Sequence, residues 1–227
     1  MTQIILDNTS RPHKSHLIFD FDGTLIDSFA CVVKVFNDLA LTHHFRQIKP
    51  EDVAMLKNTD SKTLMHHYQI PMYKIPVIIY QAAKQIRRDL LTLQPFAGIP
   101  QTISKLHEAG YQLSIVSSNS EKNVKTWLEH HHLTHLFHHI QHAPHYYGKS
   151  KTLKLILKQA QHTKEKTCYI GDETRDIEAA KQSGIECMAV TWGFHSETLL
   201  MQYQPQYLVY HPTEILTTFL GVEPKTP

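Results

Sequence analysis

The sequence lacks any run of apolar residues near the roughly 18 needed to cross a bilayer, which argues against a membrane-spanning helix. Residues 1–14 also lack the apolar segment of a secretory signal peptide. Lys and Arg number 23 against 21 Asp and Glu, and no long basic stretch indicates nucleic-acid binding. We therefore expect a cytoplasmic protein that binds neither membranes nor nucleic acid, and its oligomeric state stays open.

Cysteine is scarce as well: Cys31, Cys168 and Cys187 lie far apart and form no Cys-x-x-Cys pair. This spacing indicates neither a disulfide framework nor a thiolate zinc site, and a reducing compartment fits best. Histidine is abundant by contrast, with 18 copies, and seven of them lie between residues 130 and 142. His131 and His135 have the spacing of a metal-binding pair on a helix, but no acid or cysteine joins the run. We interpret these histidines as surface residues.

Apolar runs that alternate with helical patterns predict the fold class. Five runs predict buried strands at residues 16–21, 111–117, 166–171, 186–191 and 207–210, and residues 136–141 are a weaker strand candidate. Periodic segments between them predict helices at residues 99–109, 120–131, 150–161 and 174–183. This alternation predicts an α/β fold with a doubly wound parallel sheet and right-handed crossovers.

Residues 28–94 interrupt this alternation, because turn signals separate helical segments and no convincing strand appears among them. We interpret this stretch as an all-helical domain inserted into a core domain formed by residues 1–27 and 95–227. The insert ends at Pro-Phe-Ala-Gly, residues 95–98, a sequence suited to a hinge. The alternative is that these helices pack on the sheet as part of one domain.

Carboxylates follow two of the predicted strands. Asp20 and Asp22 lie two residues apart at the carboxyl end of the first strand, so that in extended geometry both side chains point the same way. Asp172 and Asp176 follow the strand at residues 166–171 and begin a helix. Ligands of α/β proteins bind at the carboxyl edge of the sheet, where clustered like charges repel unless a cation compensates. Oxygen ligands of this kind favour Mg²⁺ over zinc.

Polar and cationic groups lie at two further helix starts. Ser117, Ser118 and Asn119 end the second strand ahead of a helix, an arrangement able to bind phosphate. Lys149 precedes another helix, where it can neutralise phosphate oxygens and crowded carboxylates. Each fragment alone also fits an ordinary helix cap or loop. Only their combination points to a catalytic site.

In this order the fragments resemble the haloacid dehalogenase superfamily, whose motifs are Asp-x-Asp-Gly-Thr, a Ser or Thr, a Lys, and Gly-Asp-x-x-x-Asp. This chain has them as residues 20–24, Ser117, Lys149 and residues 171–176, and the resemblance covers about residues 16–220. The helical insert and the Gly-Asp-Glu-Thr-Arg-Asp string look most like the phosphoglycolate-phosphatase-like hydrolases. The family usually has Lys-Pro in its third motif, whereas this chain has Lys-Ser-Lys, which leaves the second lysine, Lys151, as the alternative cation.

The resemblance implies a Mg²⁺-dependent phosphatase of a small phosphorylated metabolite. Asp20 would be the nucleophile that forms an aspartyl-phosphate, and Asp22 would be the general acid and then the general base. The Asp20 carboxylate, the Asp22 backbone carbonyl and the Asp172 carboxylate would bind Mg²⁺. Phosphoglycolate itself is suggested only by family likeness.

The resemblance also implies which residues contact the phosphoryl group. The expected substrate-binding residues are Thr24, Ser117, Ser118 and Asn119. Lys149 would stabilise the charge on the transferring group. Asp176 would either bind the metal through water or orient Lys149.

The insert would act as a mobile cap that closes over the site and recognises the leaving group. Its polar turn of Lys57, Asn58, Thr59 and Ser61 either faces the site or is a solvated loop, and residues 192–195 either wall the pocket or pack on a neighbouring helix. A phosphomutase of the same fold and a catalytically idle binding protein are the alternatives. A dehalogenase is disfavoured, because the dehalogenases that the chain resembles lack the counterpart of Asp22.

Overall fold

The computed structural model describes residues 14–144, 148–160 and 162–221. Six parallel strands form one sheet in the order β3-β2-β1-β4-β5-β6. The strands are β1 His16–Phe19, β2 Gln112–Ser117, β3 His139–His142, β4 Thr167–Gly171, β5 Glu186–Val190 and β6 Tyr207–Val209. The predicted doubly wound sheet is confirmed. The weaker candidate at residues 136–141 forms as β3, but later in the chain, because a 3-10 turn occupies Thr134–Leu136.

Strand β1 lies in the middle of the sheet and places the site. It pairs with β2 on one side and with β4 on the other, so that Phe19 is level with Ile115 and with Ile170. The strand order runs in opposite directions on the two sides of β1. The segments that follow β1, β2 and β4 therefore meet at one carboxyl edge, at the point where α/β sheets bind ligands.

Helices cover both faces of the sheet. Those that follow the insert are α5 Ile99–Glu108, α6 Glu121–His130, α7 Gly148–Gln159, α8 Thr174–Ser183, α9 Glu197–Gln202 and α10 Pro212–Leu220. Side chains of β1 alternate between two cores: Leu17 joins the apolar cluster under α5, α6 and α10, and Ile18 joins the cluster under α7 and α8. Helix α7 begins two residues before its predicted start, so Lys149 lies inside the first helical turn and not ahead of the helix.

Residues 28–94 contain helices and no strand, and the structure describes this whole stretch. The α-helices are α1 Phe29–His43, α2 Val53–Lys57, α3 Ser61–His67 and α4 Ile75–Asp89. Helices α1 and α4 pack on each other around a separate apolar cluster that includes Val35, Leu39 and Ile78. The insert thus has a small core of its own, while its division from the rest at residues 27/28 and 94/95 stays a prediction.

The structure describes the environment of the three cysteines and the length of the apolar helices. Cys168 and Cys187 are buried, Cys31 is half-buried, and all three are free thiols. Across the described ranges, no helix combines the length and apolar character needed to cross a bilayer.

Candidate active site

The chain turns sharply after β1. The amide of Asp20 still donates to the Ile170 carbonyl at 2.8 Å, but Gly23 has a φ of 79° and its amide donates back to the Ile26 carbonyl at 3.0 Å. A Cβ on Gly23 would lie 2.2 Å from Oδ2 of Asp172, closer than atoms can approach. Glycine is therefore needed here for its positive φ and for the space its missing side chain leaves.

Three buried carboxylates meet at this edge of the sheet. Asp20, Asp172 and Asp176 each offer an oxygen within 4.8 Å of the others, and no other group of metal-binding side chains occurs among the described residues. Oδ2 of Asp20 accepts a hydrogen bond from Nζ of Lys149 at 2.5 Å, and the same ammonium contacts Oδ1 of Asp176. Oδ1 of Asp20 is buried and has no hydrogen-bond partner among the described residues. A single ammonium cannot balance three carboxylates, so this acid group fits a divalent cation.

Burial makes these acids hard to ionise. It raises the pKa of Asp20 to about 7, with Lys149 opposing the shift and Asp176 adding to it. Burial, assisted by Glu173, Asp176 and Asp20, also raises the pKa of Asp172 well above its ordinary range. A cation bound among the carboxylates would favour their charged forms and reverse both shifts.

Both oxygens of Asp172 are held in place. The Thr24 hydroxyl donates to Oδ1 at 2.7 Å, and the Phe194 amide donates to Oδ2 at 2.8 Å. The Thr24 side chain is fully buried. This contact favours a role for Thr24 in orienting Asp172 over the predicted direct contact with substrate.

Asp22 lies apart from the three carboxylates. Strand β1 ends at Phe19, and Asp20 and Asp22 beyond it have different hydrogen-bond partners. Oδ2 of Asp22 accepts a hydrogen bond from Nδ2 of Asn119 at 3.1 Å. Burial raises the pKa of Asp22, with Asn119 and Ser28 opposing the shift. A raised pKa suits a group that must donate a proton.

The polar residues after β2 form an ordered turn beside Asp22. Ser117 is buried, and its Oγ accepts the Asn119 amide at 3.0 Å, while Ser118 is half-buried. Ser120 is the N-cap residue of α6, and its Oγ accepts the backbone amide of Asn123 at 3.2 Å. The turn thus lies at a helix N-terminus, as predicted, with the side-chain amide of Asn119 donating to Asp22.

The two candidate lysines have different environments. Lys149 is buried between Asp20 and Asp176, whereas Lys151 is exposed on α7. Asp176 caps its own helix, because Oδ2 accepts the Glu173 amide at 2.9 Å while Oδ1 accepts from Lys149. The geometry favours Lys149 over Lys151, and Asp176 orients Lys149 while also lying within reach of a metal.

Arg175 is a half-buried participant that the motif pattern did not single out. It pairs with Glu173, the N-cap residue of α8. Burial alone raises the pKa of Glu173, but Arg175 and His195 outweigh it and bring the pKa down to about 2. Arg175 also favours the ionised forms of Asp20 and Asp22. The only sequence signal for it was its place between two acids of the fourth motif.

The polar turn of the insert contacts the core next to Asp172. Nζ of Lys57 donates to the Gly193 carbonyl at 3.1 Å, and Oγ of Ser196 donates to Oδ1 of Asn58 at 2.5 Å. Lys57 and Asn58 thus contact core residues that lie close in sequence to the Phe194 amide, whereas the side chain of Ser61 lies outside the described residues. Thr59 is half-buried, and nothing in this contact involves it.

The chain is similar to known proteins in sequence and in fold. A sequence model of the haloacid dehalogenase-like hydrolases matches residues 17–190. A phosphoglycolate phosphatase of Synechococcus elongatus is 32% identical over 200 residues, which is 88% of this chain and 94% of that protein. The pyrophosphatase PpaX of Anoxybacillus flavithermus is 26% identical over 214 residues, covering 91% and 96% of the two chains. A haloacid dehalogenase-like hydrolase of Streptococcus pneumoniae has the same fold, with a TM-score of 0.79, 22% identity and coverage of 91% and 98%.

Proposed function

The chain belongs to the haloacid dehalogenase-like hydrolase family and is a phosphatase, and we propose that it requires Mg²⁺ and hydrolyses a small phosphorylated metabolite resembling phosphoglycolate. The observation that carries the proposal is the buried group of Asp20, Asp172 and Asp176, with Lys149 beside it and one Asp20 oxygen unpaired. The name of the relative at 32% identity supports the substrate class.

Asp20 is the proposed nucleophile. Its carboxylate attacks phosphorus, the bond from phosphorus to the ester oxygen breaks, and an aspartyl-phosphate forms. Lys149 holds one carboxylate oxygen at 2.5 Å, which leaves the unpaired oxygen as the candidate attacking atom. Its ammonium also offsets the negative charge that the phosphoryl group brings to the site.

Asp22 is the proposed acid and base. In its protonated form it gives a proton to the departing alcohol oxygen, and in its ionised form it takes a proton from the attacking water. That water adds to phosphorus of the aspartyl-phosphate, so phosphate leaves and Asp20 is restored. The hydrogen bond from Asn119 fixes the direction of the Asp22 carboxyl group. Ser117 and Ser118 line the same turn and are proposed to bind the phosphoryl oxygens.

The proposed Mg²⁺ ligands are Asp20, Asp172 and the backbone carbonyl of Asp22, with Asp176 close by. When bound, Mg²⁺ would neutralise the charge that develops on the phosphoryl oxygens. The carboxylates of Asp20, Asp172 and Asp176 fit such an ion, because their oxygens already converge, they are buried, and their charge is in excess.

We further propose that residues 28–94 are a cap domain over a core of residues 1–27 and 95–227. The separate apolar cluster of the insert and the contact of its Lys57 turn beside Asp172 support this division. The cap would exclude water from the site and recognise the part of the substrate that lies beyond its phosphate.

Phosphate release from a panel of compounds tests the proposal. The panel contains phosphoglycolate, pyrophosphate and sugar phosphates, each assayed with Mg²⁺ and with a chelator. The Asp20→Asn variant should lose activity on every compound, whereas Asp27→Asn, which changes an exposed carboxylate nearby, should retain it. Activity that survives in the chelator or in Asp20→Asn would contradict the mechanism. A preference for pyrophosphate over phosphoglycolate would contradict the proposed substrate.

A further inference from the structure

One short segment of the core contacts three separate parts of the molecule. This bridging segment, residues 192–196, follows β5 and precedes α9. At one end, Nε1 of Trp192 donates to the Thr24 carbonyl at 3.1 Å. In the middle it holds Asp172, and at the other end it contacts the insert. The motif pattern assigned it no role in the reaction.

The bridging segment fits tightly around Asp172. The Phe194 amide donates to Oδ2 of Asp172, and the His195 amide lies 3.4 Å from the Asp172 carbonyl. A Cβ on Gly193 would lie 2.3 Å from Oδ2 of Asp172 and 2.4 Å from the Gly23 carbonyl. The imidazole of His195 is also fixed, because Nδ1 accepts the Thr174 amide at 3.0 Å. Any shift of this backbone must therefore move the amide that orients Asp172.

The cap turn, Lys57 and Asn58, contacts the same backbone from the other side. Besides the bond from Lys57 to the Gly193 carbonyl, the Ser196 amide donates to the Lys57 carbonyl at 2.7 Å. Oγ of Ser196 donates to Asn58.

Aromatic contacts reinforce this interface. The rings of Phe29, at the start of α1, and Phe194 meet edge to face with centres 5.4 Å apart. The Lys57 ammonium lies 5.2 Å from the centre of the Phe29 ring. Hydrogen bonds and ring contacts thus join the cap turn and α1 to residues on either side of the amide that holds Asp172.

We propose that the bridging segment couples docking of the cap turn to the orientation of Asp172, and that Lys57 and Asn58 are positioning residues for metal binding. The inference rests on the proposed function, in which Asp172 is a Mg²⁺ ligand. Neither cap residue contacts Asp172, so each acts only through the bridging segment. A partner that orients a metal ligand typically changes metal affinity or activity by 10- to 100-fold when it is removed.

Mg²⁺ affinity of the full chain without substrate provides the test, by titration calorimetry and by the rise in melting temperature with added Mg²⁺. Lys57→Gln should bind Mg²⁺ about tenfold more weakly, since it loses the charge and the reach to Gly193. Asn58→Ala should weaken binding less, and Lys57→Arg, which keeps a cationic donor, should restore part of the affinity. Lys84→Gln, the same change on an exposed residue of α4, should bind as the wild type does.

Catalysis gives a second readout. Compared with the wild type, Lys57→Gln should have a much lower kcat/KM at limiting Mg²⁺, and the difference should become smaller at saturating Mg²⁺. Unchanged Mg²⁺ affinity in both cap variants, with KM for the phosphate ester raised at every Mg²⁺ concentration, would overturn the proposal and make Lys57 a substrate contact. Equal weakening in Lys84→Gln would also overturn it. Absence of any Mg²⁺ binding by the wild type would instead refute the proposed metal dependence and the inference with it.

Discussion

Replacing Asp20 by Asn tests whether the carboxylates of Asp20, Asp172 and Asp176 carry more negative charge than the neighbouring Lys149 can balance when no metal is bound. The pKa of Asp20 is about 7 in the folded chain and 3.8 ordinarily, and the cause is burial. A difference of about 3 pKa units corresponds to about 4 kcal/mol. The Asp20 carboxyl group therefore binds its proton more tightly in the folded state than in the unfolded state. The free energy of unfolding therefore falls as pH rises from about 4 to about 7, and the loss stays constant above that.

The assay is chemical or thermal unfolding of the wild type and Asp20→Asn in chelator, from pH 5 to pH 8.5. Titrating histidines affect both proteins alike, so the difference between them isolates Asp20. Above pH 7 the variant should be more stable by up to about 4 kcal/mol, or on the order of 10 °C in Tm for a chain of this size. Added Mg²⁺ should stabilise the wild type much more than the variant, because binding to the folded state raises its stability by mass action.

The opposite result would refute this reasoning. If Asp20→Asn is the less stable protein at pH 8 in chelator, the ion pair with Lys149 outweighs the cost of burial and the carboxylates need no cation. Equal stabilisation of both proteins by Mg²⁺ would place the ion elsewhere.

Four further predictions concern single side chains. Asp22→Asn should lower kcat at least about 100-fold at saturating Mg²⁺ with the fold intact by circular dichroism, and a fully active variant would exclude the acid role. Asn119→Ala removes a hydrogen bond to the ionised acid, so it should raise the pKa of Asp22 and move the alkaline limb of kcat/KM to higher pH; an unmoved limb would contradict this. Lys149→Met should lower kcat/KM by about 100-fold or more, whereas Lys151→Met, at an exposed position, should leave kcat/KM unchanged. The reverse result would assign the phosphate contact to Lys151. Burial lowers the pKa of His16 to about 3, so folded-state stability is lost as pH falls from 6.5 towards 3, and His16→Gln should reduce this loss in acid unfolding curves; an unchanged curve would exclude His16 as its source.

Much of the sheet could be predicted because buried parallel strands are continuous apolar runs. Strands β1 and β4 are buried along their whole length, and their runs were the clearest in the sequence. Helices α9 and α10 were not predicted. Helix α9 has six residues, too few for a helical period to show, and α10 begins at a proline directly after the strand region.

The convergence of the acids was predictable for a topological reason. Residues that follow parallel strands meet at one edge, whatever their separation in sequence. The contacts that orient them were not predictable. The hydrogen bond from Thr24 to Asp172 joins residues 148 positions apart, and the one from Lys57 to Gly193 joins residues 136 positions apart. No local sequence pattern predicts either contact. Such contacts depend on loop conformations that only tertiary packing fixes.

The different surroundings of Asp20 and Asp22 fit the two roles proposed for them. Asp20 lies among carboxylates and an ammonium, so a cation bound there would act on it directly and favour the ionised form that the proposed nucleophile needs. Asp22 lies outside that group and accepts from the neutral side-chain amide of Asn119, and burial raises its pKa, which suits the proposed proton donor. Two carboxyl groups whose environments separate their pKa values can serve as base and acid at one pH.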